Sequence, residues 1–161
     1  MANLKQIRKY LEQKQLVYKV IKLDKEAFTV ADVVDAGIKI DEVVKTLIFR
    51  IYPRSNPGLE RSQKAFIALV VRGNDRVDFR KVRRLFGSKS ELAKPDEVLR
   101  VVGVPIGAVC PVLVGITLYF DRKVLELKNV HMGSGDLVHG LEMRLEDLLK
   151  AVGKYKTEEL V

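Results

Sequence analysis

Ala65-Phe66-Ile67-Ala68-Leu69-Val70-Val71 carries no polar side chain in any of its positions. A short unbroken apolar run rich in Val and Ile reads as a strand buried on both faces, so something must cover each side of the sheet it belongs to. Upstream, Lys45-Thr46-Leu47-Ile48-Phe49-Arg50-Ile51-Tyr52 is a second strand. Between the two, Pro53 to Gln63 holds Pro53, Asn56, Pro57 and Gly58 with Arg54 and Arg61. Such a stretch predicts a loop, and the most mobile segment of the chain.

The covering elements lie on either side of this pair. Leu4, Ile7, Tyr10 and Leu11 follow helical spacing after Asn3, a suitable N-cap, and predict an amphipathic first helix ending near Gln15. Leu16 to Leu23 reads as a strand with one wet face, and Thr29 with Asp32 predicts a short helix over 30–36 that stops at Gly37. Downstream, Gly73-Asn74 marks a turn, Val82, Leu85 and Phe86 stripe a helix ended by Gly87, and Pro95 and Gly103 bound another helix. Ile116 to Phe120 is a strand, Asp121 to Leu127 a turn of helix, Val130 to Met132 a short strand and Val138 to Leu145 a longer one. Leu145, Leu148, Leu149 and Val152 stripe a final helix closed by Gly153, after which the polar tail from Lys154 is expected to fray. Strands and helices intermixed without strict alternation give an α+β, mixed α/β fold, and 161 residues without a repeat or linker fit a single domain over 1–161.

Bulk properties narrow the function classes. No apolar run reaches the length of a bilayer span and the N-terminus has no signal-peptide core, so a cytoplasmic protein with no membrane partner is expected. One cysteine excludes an internal disulfide framework, and Cys110 with His131 and His139 makes a poor set for structural zinc. The net charge of +8 is concentrated in the middle third, where residues 51–100 hold twelve Lys or Arg against six Asp or Glu. This is the footprint of a polyanion partner, RNA or DNA. The helix carrying Arg80, Lys81, Arg83 and Arg84 repels itself unless an anion lies nearby, which makes it the expected nucleic-acid contact.

Gly103-Val104-Pro105-Ile106-Gly107-Ala108-Val109-Cys110-Pro111-Val112-Leu113-Val114-Gly115 is the stretch that packing alone does not explain. Its glycines and prolines preclude regular structure while every other residue is apolar. It reads as a buried loop whose free N–H groups can meet a ligand's oxygens. Lys45, opening a core strand, is a cation suited to a phosphate or carbonyl oxygen near that loop. His131, beside a second glycine loop at Gly133-Ser134-Gly135, is placed to line the same pocket. A thiol hydrolase would need Cys110 paired with His131 or His139; no local pattern marks that pair, and Cys110 equally reads as a small buried hydrophobe. Walker, dinucleotide and HExxH patterns are absent, so no cofactor and no metal is expected.

Taken together, Val43-Val44-Lys45-Thr46-Leu47-Ile48-Phe49, the loop from Gly103 to Pro111, Met132-Gly133-Ser134-Gly135 and Leu145-Glu146-Asp147-Leu148-Leu149 resemble the YbaK family. That family comprises free-standing aminoacyl-tRNA deacylases and the editing insertion of prolyl-tRNA synthetases. The resemblance implies a curved, mixed, barrel-like sheet surrounded by helices, and a deacylase that hydrolyses the ester of mischarged tRNA, with alanine or cysteine on proline tRNA as the leading precedents. It implies Lys45 and Gly107 as the catalytic positions. Thr46, Gly103, Ala108, Val109, Cys110, Pro111, His131, Gly133, Ser134 and Gly135 fall where substrate is bound. The resemblance further implies that water attacks without a side-chain nucleophile, with the substrate's own hydroxyl or thiol assisting proton transfer. The partner implied is the aminoacylated acceptor end of tRNA, met by the domain alone or docked transiently on an aminoacyl-tRNA synthetase. Cys110, where relatives carry a small hydroxyl residue, and Val112-Leu113 depart from the pattern and bear on which amino acid is removed. A tRNA- or RNA-binding module of the same fold without turnover is the alternative.

Overall fold

The computed structural model describes residues 3–52 and 64–161, so the loop expected over 53–63 lies outside the described residues. α1 (Leu4–Gln13) starts at Asn3, whose carboxamide accepts from the Gln6 N–H at 2.9 Å while Gln6 accepts from the Asn3 N–H at 3.0 Å. The reciprocal pair satisfies two orphan donors, and Ile7 and Leu11 on the opposite face are fully buried. After β1 (Lys19–Lys22) comes α2 (Val30–Asp35), capped in the same way by Thr29 and Asp32. β2 (Val44–Ile51) and β3 (Ala65–Arg72) pair antiparallel along their whole length, Val44 opposite Arg72 and Ile51 opposite Ala65.

α3 (Phe79–Phe86) ends at Gly87 in the left-handed region, and α4 (Pro95–Val102), with proline in its first turn, ends the same way at Gly103. Between them lies β4 (Ser90–Leu92). β5 (Leu118–Asp121), a 3₁₀ turn over Arg122–Glu126, β6 (Asn129–Gly133), β7 (His139–Arg144), α5 (Leu145–Val152) and β8 (Lys156–Glu158) complete the chain.

The strands form two sheets in place of one barrel. The larger is mixed, with order β4-β2-β3-β5-β8; the smaller is antiparallel, with order β1-β7-β6. Neither closes on itself, and an isolated parallel bridge between Val43 and His131 joins them. The period of two along β3 divides the interior. Ala68 and Val70 enter a core shared with Phe120, Leu141 and Leu148, whereas Ile67, Leu69 and Val71 face a second core with Phe49, Val82 and Leu160. The apolar run is therefore buried on both faces, as its composition predicts.

Two elements depart from the sequence reading. The tail does not fray: β8 pairs in parallel with β5, Leu160 is fully buried, and its N–H donates to the Asp121 carboxylate at 2.8 Å. Asp78 N–H donates to the Leu160 carbonyl at 2.8 Å, closing the strap over α3. β4 is an unpredicted edge strand held on β2 by pairing and by Arg50, which bridges Glu91 and Glu97, the latter at 2.5 Å.

Candidate active-site cleft

A cleft of about 400 Å³ opens where the start of β2 passes β6. One wall is Val43 to Leu47, a second is the segment from Ala27 into the first turn of α2, a third is Ile106, Gly107 and Val109, and the fourth is His131 to Gly133 with the β6–β7 turn from Asp136 to Gly140. Four stretches of the sequence meet there, and the bridge at Val43 and His131 pins two of them, and with them the two sheets, together at this point.

The loop is shaped by close backbone approach. Gly103 N–H donates to the Leu99 carbonyl at 2.9 Å to finish α4, and Ala108 N–H to Pro105 at 3.0 Å makes a tight turn. Gly107, at φ +92°, occupies that turn, where a Cβ would stand 2.7 Å from Phe28 Cα and 2.8 Å from the Ala27 oxygen. On the other side a Cβ at Gly133 would lie 2.3 Å from the Val109 oxygen, and Gly135 N–H donates to the Ala108 carbonyl at 2.7 Å. The two glycine loops are thus stitched to each other and to the segment before α2. Among the described residues, the N–H groups of Gly107 and Val109 donate to no main-chain carbonyl.

Lys45 is partly buried and donates from Nζ to the Asp75 carbonyl oxygen at 2.7 Å. Burial pushes its pKa below the ordinary lysine value, against the opposing pull of the Asp75 carboxylate. That carboxylate is itself held low by Arg72, whose Nε lies 2.8 Å away. Beside Lys45 on the opposite face of β2, the Thr46 hydroxyl is buried with no protein partner among the described residues.

His131 is 2% exposed. Its Nδ1 stands 3.2 Å from Glu142 Oε1, directly across the β6–β7 register. A carboxylate only accepts, so this contact puts the ring proton on Nδ1 and leaves Nε2 as an acceptor in the neutral ring. The Cε1–Nε2 edge of the ring abuts Gly140, where a Cβ would come within 2.3 Å of both atoms. His139 is paired in turn with Asp136 at 3.1 Å.

Of the residues singled out in the sequence, Lys45, Thr46, Gly107, Val109, His131 and Gly133 line the cleft; Gly103, Ala108, Cys110, Pro111, Ser134 and Gly135 do not. Cys110 belongs to the main core at 4% exposure, and burial pushes its thiol up to about 12. The Ser134 hydroxyl is turned to the carbonyls of His139 and Asp136, at 2.7 and 3.1 Å, and so shapes the second glycine loop. The basic helix α3 contributes nothing to the cleft wall: Arg80, Arg83 and Arg84 are exposed, while Lys81 donates to the Val161 carbonyl at 2.7 Å. Phe28, Asp136, Gly140 and Glu142 belong to the site or its support without having been singled out, and His139, considered in the sequence only as a partner for Cys110 or a metal, lines the cleft. Among the described residues, no group of three His, Cys, Asp or Glu side chains is placed to hold a metal.

Comparison with known proteins places this cleft. Residues 24–151 match the family model of the aminoacyl-tRNA editing domain, which spans every wall except its outermost edge at Leu23. The proline–tRNA ligase of Staphylococcus aureus (strain Newman) is 32% identical over 102 residues, covering 62% of this chain and 16% of the ligase. The chain thus spans about one sixth of the curated relatives it matches. The crystal structure of the hypothetical protein APE2540 superposes with a TM-score of 0.76 at 26% identity, over 94% of this chain and 97% of that one. A candidate trans-editing enzyme for prolyl-tRNA synthetase shares the fold, with a TM-score of 0.76 at 24% identity over 98% and 95% of the two chains. With four-fifths of its length inside the matched region, and with Lys45, Gly107 and His131 all lining one cleft there, the chain belongs to the aminoacyl-tRNA editing domain family.

Proposed function

We propose that this domain hydrolyses the ester between a wrongly attached amino acid and tRNA, acting in trans in the cytoplasm, with alanine or cysteine on proline tRNA as its substrate. The observation that carries the reading is the meeting of a partly buried lysine with a glycine loop whose Gly107 and Val109 N–H groups donate to no main-chain carbonyl, in a cleft lined by no thiol among the described residues. Lys45 draws in the 3′-terminal nucleotide, and the Gly107 and Val109 amides hold the ester carbonyl oxygen as negative charge develops on it. Water adds to that carbon and the bond to the ribose oxygen breaks. One water proton ends on the departing ribose oxygen, relayed by the substrate's own hydroxyl or thiol. Val44, Val109 and Met132 on the inner wall favour a small, apolar aminoacyl group, and the likeness to a proline–tRNA ligase supports proline tRNA.

The exposed Arg80, Arg83 and Arg84 supply phosphate contacts to the acceptor stem, and the domain works alone or docked on a synthetase. Among the described residues no helix is long and apolar enough to cross a membrane. A thiol mechanism is disfavoured, because Cys110 is outside the cleft and its proton is held to about pH 12. The test is deacylation of alanyl-, cysteinyl-, seryl- and prolyl-tRNA for proline by the wild type and Lys45→Ala. Selective, Lys45-dependent release of one noncognate amino acid supports the reading. Tight binding without hydrolysis across the panel replaces it with a binding module.

A further inference from the structure

Two large apolar side chains stand exposed at the mouth of the cleft. Phe28 is 48% and Ile106 is 40% exposed, and both line it. Other exposed apolar residues, such as Leu99 on α4, have no such setting. A hydrophobic residue just before a helix cap commonly packs on the residue four positions into the helix, here Val33, and that staple would hide the ring. Phe28 keeps nearly half its surface open instead.

The main chain beneath Phe28 is held from two sides. Its N–H donates to Asp32 Oδ2 at 3.0 Å, the same carboxylate that completes the cap of α2. From the other side Gly107 comes so close that only a hydrogen fits between it and Phe28 Cα. The loop that carries Ile106 is fixed in turn by the Pro105–Ala108 turn and by the Gly135 bond to Ala108. Rigid backbone under exposed apolar side chains is the arrangement of a stacking surface, where ordering costs little on binding because it is already in place.

We infer that Phe28, with Ile106 beside it, stacks the 3′-terminal nucleobase of tRNA at the mouth of the cleft. The inference rests on the proposed editing function, which puts the ester inside the cleft. The base attached to the esterified ribose then lies at the mouth, where a flat ligand with an apolar face fits two apolar side chains. Stacking is tolerant of base identity and acts equally on ground and transition states, so it contributes to KM and leaves kcat unchanged.

The experiment uses the full chain and proline tRNA carrying 2-aminopurine as its 3′-terminal base, whose fluorescence is quenched on stacking. Wild type and Phe28→Trp are expected to quench it, Phe28→Ala to abolish the quench, and Leu99→Ala to behave as wild type. In deacylation of alanyl-tRNA, Phe28→Ala is expected to raise KM about five- to hundredfold at unchanged kcat. That penalty should vanish on a substrate whose terminal nucleotide lacks its base. Equal quenching by wild type and Phe28→Ala, or the same KM penalty with and without the base, overturns the inference. Hydrolysis with no Phe28-dependent quench removes the stacking surface alone. A Phe28-dependent quench without hydrolysis of any charged tRNA removes the editing function and leaves the base site standing.

Discussion

Replacing Gly107 by alanine tests whether the loop is seated on the Phe28 main chain as described. The new methyl meets Phe28 Cα at 2.7 Å, the Ala27 oxygen at 2.8 Å and the Phe28 oxygen at 2.9 Å, all of them backbone atoms that no rotamer change can move aside. Overpacking against rigid surroundings costs about 1–3 kcal/mol, and an L residue held at positive φ costs about 1–2 kcal/mol more. Together they predict a loss of about 2–5 kcal/mol. For a chain of this length that lowers Tm by roughly 4–20 °C. Urea unfolding should show the midpoint moved at unchanged slope, because the surface exposed on unfolding is the same. The part of the strain relieved by moving the loop displaces the Gly107 and Val109 amides, so kcat for deacylation should fall at least tenfold in protein that remains folded. A variant within about 1 kcal/mol of wild type that turns over at the normal rate would show that the loop does not lie on Phe28, and the proposed carbonyl-binding site would go with it.

Further outcomes are expected at single residues. Lys45→Ala should keep the fold and lose deacylation about a hundredfold or more. Because burial lowers the Lys45 pKa, the native state sheds this proton before the unfolded state does. Stability attributable to Lys45 should therefore rise with pH on the approach to 10.5, while its grip on an anion weakens over the same window; chemical denaturation and KM, each followed against pH, read the two effects. Cys110→Ala should retain deacylation within about twofold, since a thiol titrating near 12 supplies no thiolate at neutral pH. Glu97, held down to about 2 first by the Lys94 N–H and then by Arg50, should stabilise the fold fully above its ordinary value of 4.5 and progressively less as pH falls toward 2; Glu97→Gln should flatten that acid limb in thermal melts. Gly140→Ala should push the His131 ring off its seat and break its contact with Glu142, visible as displaced imidazole chemical shifts by NMR, with no change if the ring is not seated there.

What could be read in advance follows from how local each cause is. The caps at Asn3 and Thr29 and the stops at Gly87 and Gly103 depend on neighbours three or four residues away, and each falls where the pattern puts it. β4 and β8 were illegible because nothing intrinsic makes Ser90-Glu91-Leu92 or Lys156-Thr157-Glu158 a strand; each exists through pairing with an edge, and β8 through the burial of Leu160 beyond it. The central loop reads as buried throughout, yet only Val104 and its middle are: Ala108 to Val112 are enclosed, while Pro105 to Gly107 are exposed, Ile106 and Gly107 at the cleft, and Leu113 and Gly115 are exposed beyond it. In the site, Lys45 and Gly107 announce themselves by residue type against context. Glu142 and Gly140 do not, because their roles depend on the register that sets them against His131 across the hairpin.

The position of the cleft follows from the same geometry that divides the core. β2 supplies one face to each core, so its first residues emerge where the two cores end, and there the Val43–His131 bridge is the connection between the sheets. Gly73 reinforces that seam: its N–H donates to the Val43 carbonyl at 2.7 Å, and a Cβ on it would lie 2.9 Å from Val43 Cγ1. β2 begins beside this point and the loop from Gly103 passes it outside either sheet, which leaves the Gly107 and Val109 amides without a main-chain carbonyl among the described residues and disrupts neither sheet. Polar groups that would be costly inside a core thus cluster at its margin, where water or a ligand can satisfy them. Hydrolysis by positioned water requires such a place: rigid enough to aim backbone donors at a carbonyl oxygen, yet open enough to admit both the ester and the solvent that attacks it.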